Sequence, residues 1–253
     1  MGRRVLNRIN TAEQLRQRGA CNRDTGSADF DEFVLGLLAP SSEDVALDLG
    51  SGLGRQMIPL AGRVRRIVGL DTSPEMTTAL RAQLPGADAA VVEGDMDDLA
   101  SLALPGPFTL IYAVYSLYYS SRPARLIETA SRLLQGPDAR FVAVAPDVGN
   151  NAGWFEDLAA LYAVPADVLA IPRFCREVAL PAFLDTFRTV TCATFSSTVL
   201  FPTVDAVMRY YDACAPYCRP DRRAEALAHF RTRVERDGEY RIAKRSLGLV
   251  GRA

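Results

Sequence analysis

A rhythm constrains this chain more than any single residue. Between residues 44 and 147, short apolar runs alternate with stretches of helical periodicity. "DVALDLG" (44–50), "RRIVGLD" (65–71), "AAVVEGD" (89–95), "FTLIYAV" (108–114) and "RFVAVAPD" (140–147) read as five strands. The first of them is apolar enough to be buried on both faces. Ser73 and Pro74 supply a cap and a first-turn residue for a helix on which Met76, Leu80 and Leu84 recur. "RPARLIETASRLLQG" (122–136) sets Leu126, Ile127, Ala130, Leu133 and Leu134 inward and stops at Gly136. A further helix is expected from about Arg55. Alternation at this spacing predicts a parallel, doubly wound sheet.

The flanks follow other patterns. Residues 1–26 look helical but poorly periodic, and "SADFDEFVLGLL" places Phe30, Phe33, Val34, Leu37 and Leu38 on one helical face. Beyond residue 150 the rhythm changes. "NNAGWFEDLAALYAV" and "ALPAFLDTF" look helical, "TVTCATFSSTVLF" (189–201) and "YRIAKRSLGLVGR" (240–252) look like strands, and 203–237 reads as two helices. The expectation is an α/β fold: a mostly parallel seven-stranded sheet, Rossmann-like, with the last strand antiparallel. It forms one domain over 1–253, with an N-terminal helical cap (1–26), a core (27–150) and a second half (151–253) whose helical insertion spans 203–237.

Within the rhythm, "LDLGSGLGR" (47–55) is a strand end followed by a glycine-rich turn. Such a turn lets the backbone approach a ligand, and a helix start beyond it offers free N–H groups. Gly50, Gly52 and Gly54 are followed by Arg55, where a dinucleotide fingerprint needs its third glycine. A long cation there would crowd the contact, which argues against NAD. Three acids accompany the turn. Asp48 precedes it, Asp71 ends the second strand, and Asp95 ends the third. An acid at Asp71 can accept from two ribose hydroxyls, and one at Asp95 from the amino group of a purine. Together they describe one adenosine lying across the C-terminal edge of the sheet.

Asp48–Arg55, "GLDTSPEM", "EGDMDDL" and "FTLIYAVYSLYY", in this order and spacing, resemble the successive motifs of class I S-adenosylmethionine-dependent methyltransferases. The resemblance implies that the cofactor is S-adenosyl-L-methionine, with Gly50, Gly52 and Gly54, and with them Ser51, beside its methionine part. It places Asp48 by the amino group or its bound water, Asp71 at the ribose and Asp95 with the backbone at Met96 at the adenine, with Thr72, Met76 and Ala113 also binding the cofactor. The family often carries an acid where this chain has Thr109, a departure expected to affect packing. The cofactor-binding part is then 27–150 and the acceptor-binding part 151–253.

The stretch after the fourth strand narrows the class. "AVYS" (113–116) does not resemble the Asn/Asp-Pro-Pro-aromatic motif of base amino methylases, and none of the five cysteines follows a proline as in cytosine C5 enzymes. Ala113 stands where catechol-type relatives resemble one another in a metal-binding Asp, so no metal is expected. What remains resembles the small-molecule branch, methylating O or N by in-line displacement. Its frequent His pair is replaced by Tyr118 and Tyr119, and the only histidine, His229, lies in the late insertion, where a packing or surface role is expected. Candidates for the acceptor wall are Tyr115, Tyr118, Tyr119, Trp154 and Phe155, with Tyr210 and Tyr211 closing from above. Candidates for catalysis are Tyr115, Tyr118, Asp147 and Glu156, with Asp157 able to orient an acceptor. Two alternatives stay open: a macromolecular acceptor such as RNA or a peptide, and a protein of this fold that binds cofactor or product without turnover.

Charge gives little direction. The formal net charge is −1, which offers no global field for nucleic acid or a membrane. Six arginines among residues 1–25, against Glu13 and Asp24, are the local exception, and Lys244 is the only lysine. That imbalance reads as compositional bias. Five cysteines without a C-x-x-C pair fit reduced thiols in the cytoplasm. No signal peptide, myristoylation signal or membrane span is expected, and the oligomeric state is open.

Overall fold

The computed structural model describes residues 11–24, 26–84, 86, 88–214 and 216–252. The first ten residues of the expected N-terminal cap lie outside these. The chain runs α1 (Ala12–Asp24), α2 (Phe30–Leu38), β1 (Val45–Leu49), α3 (Met57–Leu60), β2 (Arg66–Asp71), α4 (Pro74–Arg81), β3 (Ala89–Glu93), β4 (Leu110–Val114), α5 (Pro123–Leu133) and β5 (Arg140–Pro146). It continues through α6 (Ala152–Ala159), α7 (Ala166–Phe174), α8 (Leu180–Thr186), β6 (Thr189–Phe201), α9 (Val204–Asp212), α10 (Arg223–Asp237) and β7 (Tyr240–Arg252).

All seven strands form one sheet in the order β3-β2-β1-β4-β5-β7-β6. The four pairings among β1 to β5 are parallel, and β7 runs antiparallel to both β5 and β6. Strand residues alternate between two apolar layers, as the pleat requires. Leu47, Leu49, Ile111, Phe141 and Ala143 face α5, α8 and their neighbours. Ala46, Ile67, Leu110, Tyr112 and Val142 face α2, α3 and α4. A third apolar cluster lies beyond the sheet edge under α9 and α10, centred on Trp154.

Two elements differ from expectation. The helix after the glycine turn is a single turn, Met57–Leu60. Pro59 sits inside it and Gly62 follows, and neither supports propagation. Second, residues 166–186 form a nearly continuous helical path not fully visible in the sequence. Pro172 lies inside α7. A π-helical turn at Cys175–Ala179 leads on into α8, where Pro181 sits in the first turn. Prolines at those positions mask the helical period.

At the N-terminal edge of the sheet Arg140 and Asp44 form a buried ion pair at 2.7 Å, their side chains 4% and 6% exposed. Arg140 also donates to the carbonyls of Leu38 and Ala39 at the end of α2. Thr109 donates to Asp44 at 2.6 Å and accepts from the Val45 N–H. Thr109 therefore serves packing at this edge, away from the glycine turn.

Candidate cofactor and acceptor site

At the opposite edge the glycine turn is tied to β2. The N–H groups of Gly50 and Ser51 both donate to the Leu70 carbonyl, at 2.7 and 3.0 Å. Gly50, Gly52 and Gly54 all have positive φ, at 79°, 52° and 80°. Their surroundings separate their roles. A Cβ at Gly50 would meet Ser116 Cβ at 2.5 Å, and one at Gly54 would meet Leu80 Cδ1 at 2.3 Å. A Cβ at Gly52 would meet nothing within 4 Å. Gly50 and Gly54 thus allow close packing within the protein, and Gly52 presents its backbone to open space. Arg55 does not crowd the turn. It reaches Asp31 of α2 at 2.7 Å and lies over the Phe30 ring.

Asp71 is held ready. Its Oδ2 accepts from Gly52 N–H at 2.8 Å and its Oδ1 from Ser73 N–H at 2.9 Å. Each oxygen keeps a further lone pair for a ligand hydroxyl. Thr72 beyond it is exposed, whereas Met76 is buried at the start of α4. Asp95 accepts from Asp97 N–H at 3.0 Å, beside the buried Met96. Asp97 accepts in turn from Ser121 N–H at 2.9 Å and from the Ser120 and Ser121 hydroxyls, which joins the end of β3 to the segment after β4. These bonds, with Arg122 nearby, hold the Asp97 pKa below its ordinary value although burial works the other way.

Asp48 is the unusual acid. It stands directly opposite Tyr112 in the β1–β4 register and is 4% exposed. Burial, with the charge of Asp71 adding to it and Tyr112 opposing it, pushes its pKa up to about 8. The carboxyl is therefore mostly protonated at neutral pH. Beside it the buried Ser51 Oγ has no hydrogen-bond partner among the described residues. Buried polar atoms are nearly always paired, so this corner is left for a polar ligand. Ala113, by contrast, turns its methyl into the apolar layer.

Beyond β4 the chain turns sharply. Tyr115 adopts φ of 57°, unusual for a side chain with a Cβ. Its hydroxyl lies 2.8 Å from Ser246 Oγ of β7, and its ring meets Phe30 edge-on. Ser116 Oγ donates to the Leu49 carbonyl at 2.5 Å, closing β4 onto β1. Tyr118 is buried against Phe174, and Tyr119 is half-buried with its ring 4.8 Å from that of Tyr118. Burial pushes all three phenols upward. They stay protonated near neutral pH and act as donors, not bases.

A cover lies over this edge. The Ala12 N–H at the start of α1 donates to Glu75 in the first turn of α4, and the helix packs on α9. The other expected wall residues are distributed unevenly. Trp154 is fully buried, stacked on Phe230 at 4.9 Å, which corrects its expected place on the acceptor wall. The largest apolar side chain fills the cluster beneath α10. Tyr211 is likewise buried, bonded to Tyr162 and to the Arg219 backbone. Tyr210 is buried but hydrogen-bonded to Lys244, and Phe155 is half-buried against Tyr217.

The acidic candidates are engaged elsewhere. Asp147 pairs with Arg176 through two bonds of 2.6 Å, which hold its pKa low against burial. Glu156 is exposed on α6. Asp157 is buried and accepts from Tyr240 at 2.6 Å and Arg233 at 3.1 Å, with His229 Nε2 at 2.8 Å. His229 thus belongs to a network joining α6, α10 and β7. Sequence reasoning passed over Arg18, Asn151, Cys214, Tyr217 and Lys244, which gather under α1. The single lysine in an arginine-rich chain was the available signal. Among the described residues no three metal-ligating side chains form a group, and no helix is long and apolar enough to cross a membrane.

A methyltransferase-domain family model matches residues 46–136, from β1 through α5. The chain is 39% identical over 67 residues to the "Probable cobalt-precorrin-6B C(15)-methyltransferase (decarboxylating)" of Methanothermobacter thermautotrophicus, covering 25% of this chain and 35% of that protein. It is 33% identical over 114 residues to an uncharacterised methyltransferase of Schizosaccharomyces pombe, covering 44% and 43%. The chain therefore spans less than half the length of these curated relatives. Among solved structures, precorrin 8W decarboxylase from Methanobacterium thermoautotrophicum matches with a TM-score of 0.53 and 17% identity, over 88% of this chain and 89% of that one, a likeness of fold. The glycine turn and the strand-end acids Asp48, Asp71 and Asp95 all lie inside residues 46–136, the segment whose sequence matches a methyltransferase domain.

Proposed function

We propose that this protein transfers a methyl group from S-adenosylmethionine to an oxygen or nitrogen atom of a small-molecule acceptor. The observation that carries the reading is the arrangement at the glycine turn. Asp71 is fixed by Gly52 and Ser73 N–H groups, beside an open Gly52 backbone and the unpaired buried hydroxyl of Ser51. A ligand with a vicinal diol and an amino-acid end fits that donor set. Asp71 would hold the ribose and Asp95 with Met96 the adenine. Gly50, Ser51 and Gly52 would flank the methionine part, with Asp48 at its ammonium end.

When bound, the cofactor supplies an electrophilic methyl on a sulfonium. The chain's own contribution is to align the acceptor and exclude water. Tyr115, Tyr118 and Tyr119 offer protonated phenols and apolar rings beside β4. The α1 cover and α9 enclose this edge, which suits a small acceptor better than a broad polymer groove. The described tyrosines are too weakly acidic to serve as resting bases, and Asp147 and Asp157 are held by cations. An acceptor that is an amine, a carboxylate or an acidic hydroxyl needs least help. The test is titration calorimetry with S-adenosylmethionine, its demethylated product and NAD, followed by transfer of labelled methyl to a panel of small acceptors. Tight NAD binding without any response to the sulfonium would refute the proposal.

A further inference from the structure

Lys244 lies on β7 two residues before Ser246, on the same face of the strand. Ser246 pairs with Pro146, the last residue of β5, so Lys244 stands just past the C-terminal end of β5. Its Nζ donates to Asn151 Oδ1 at 2.9 Å and to the Tyr210 hydroxyl at 2.6 Å, and lies 4.7 Å from the Tyr210 ring centroid. Two of its three N–H bonds are thereby spent on neutral oxygens. Among the described residues no carboxylate pairs with it. A half-buried lysine held by neutral oxygens and not by a carboxylate is uncommon.

A second cation approaches the same place. Arg18 reaches in from α1, beside Tyr119, Tyr210, Cys214 and Tyr217. The thiol of Cys214 reports the field there. Burial alone would raise its pKa, yet bonds from Cys218 and Tyr217 and the charges of Arg18 and Lys244 bring it down to about 6. Tyr217 donates to Cys214 Sγ at 3.3 Å. Lys244 is lowered to about 7, first by burial and then by Arg18, against the pull of Cys214 and Cys21. Tyr119 feels both Arg18 and Asp71, which makes this cluster the neighbour of the ribose end of the turn.

We infer that Lys244 and Arg18 form a subsite for an oxyanion, a carboxylate or a phosphate, carried by the acceptor. The inference rests on the methyltransferase reading and narrows it. The acceptor is held by its charged end under α1, with Asn151 and Tyr210 keeping Lys244 in place and the tyrosines after β4 against its body. An oxyanion supplies an acceptor for the third Lys244 N–H and favours the charged form of the amine. Charge-assisted bonds of this kind are the stronger class, and Arg18 adds a planar fork suited to either oxyanion.

The experiment uses the full chain saturated with S-adenosylhomocysteine and three probes: benzoate, phenyl phosphate and the neutral benzamide. Binding is followed by calorimetry or ligand-observed NMR in wild type, Lys244→Met and Arg18→Met. At least one oxyanion is expected to bind ten times more tightly than benzamide, and the preferred one identifies the group. Each variant should weaken that oxyanion at least tenfold while S-adenosylhomocysteine binds within twofold of wild type. If Lys244→Met does not fold, Arg18→Met decides, with Lys244→Arg expected to retain oxyanion binding. Equal binding of benzoate, phenyl phosphate and benzamide, no binding of any probe, or oxyanion affinity unchanged in the folded variants overturns the subsite. Failure of wild type to bind S-adenosylhomocysteine sinks the cofactor reading instead, and is seen before any probe is added.

Discussion

Replacing Asp48 by Asn tests the buried acid directly, because the change keeps shape and removes titration. In the folded apo protein the carboxyl is pushed up to about 8 by burial, against 3.8 for the ordinary group. The folded state therefore holds a proton over that interval that the unfolded chain has released. Below pH 4 both states are protonated and Asp48 contributes no pH dependence. As pH rises toward 8 the folded state becomes progressively less favourable relative to the unfolded one. The limiting slope is about 1.4 kcal/mol per pH unit for one proton. Asp48→Asn removes that slope, so its stability relative to wild type should rise between pH 5 and pH 8. Water entering the site and relaxation of Tyr112 reduce the size, and a total gain of about 2–4 kcal/mol at pH 8 is expected. Urea unfolding of both proteins at half-unit pH steps, without cofactor, gives the comparison. Parallel curves across this window would show that the carboxyl is not buried uncharged, and the account of the corner at Ser51 and Tyr112 would fail with it.

Other outcomes follow from the same geometry. Asp71→Ala should weaken S-adenosylmethionine binding by about 1.5–3 kcal/mol, read by calorimetry, because both ribose hydroxyls lose their acceptor; unchanged affinity in a folded variant removes the ribose assignment. Gly54→Ala adds a Cβ 2.3 Å from Leu80 at φ of 80°, and should lower stability by about 1–3 kcal/mol in denaturant melts. His229→Asn loses the geometry of its bond to Asp157 and should cost about 1 kcal/mol of stability, with turnover of a true acceptor kept within about tenfold. A hundredfold fall in kcat of the folded variant would make His229 a base and overturn its packing role.

Much of this architecture was legible because burial leaves a simple trace. The strands from β1 to β5 and the long β6–β7 pair are apolar or alternating runs bounded by turn residues, and the structure returns them within a residue or two. The glycine turn and Asp71 were legible because a positive φ and a strand-end acid are read from position alone. What was hidden depends on tertiary direction. Arg55 looked like an obstacle until its side chain was seen to leave toward Asp31. Trp154 follows β5 closely, as an acceptor contact would, yet its ring turns into the insertion's core. Arg18 and Lys244 come from opposite ends of the chain, and no local pattern relates α1 to β7. Asp147 and Asp157 look available in sequence, because nothing local announces Arg176 or the His229–Arg233–Tyr240 group.

The buried ion pair at the other edge has a consequence for how the molecule comes apart. Asp44 and Arg140 are separated by 96 residues, and Arg140 reaches the end of α2 across 102. With Thr109 they tie four segments, α2, β1, β4 and β5, through one knot of charge-assisted bonds. None of these bonds repays its loop-closure entropy until the others are in place. A state in which β1 or β5 alone has left separates the pair and leaves one charge uncompensated, at a cost of several kcal/mol, and departure of α2 or β4 strips hydrogen bonds from the buried charges. Partial opening is thus penalised, and the central sheet unfolds as one unit. Amide exchange in β1, β4 and β5 should converge on a single opening free energy, while α1, held over the far edge by the Ala12–Glu75 contact and by its packing on α9, exchanges independently at a lower one.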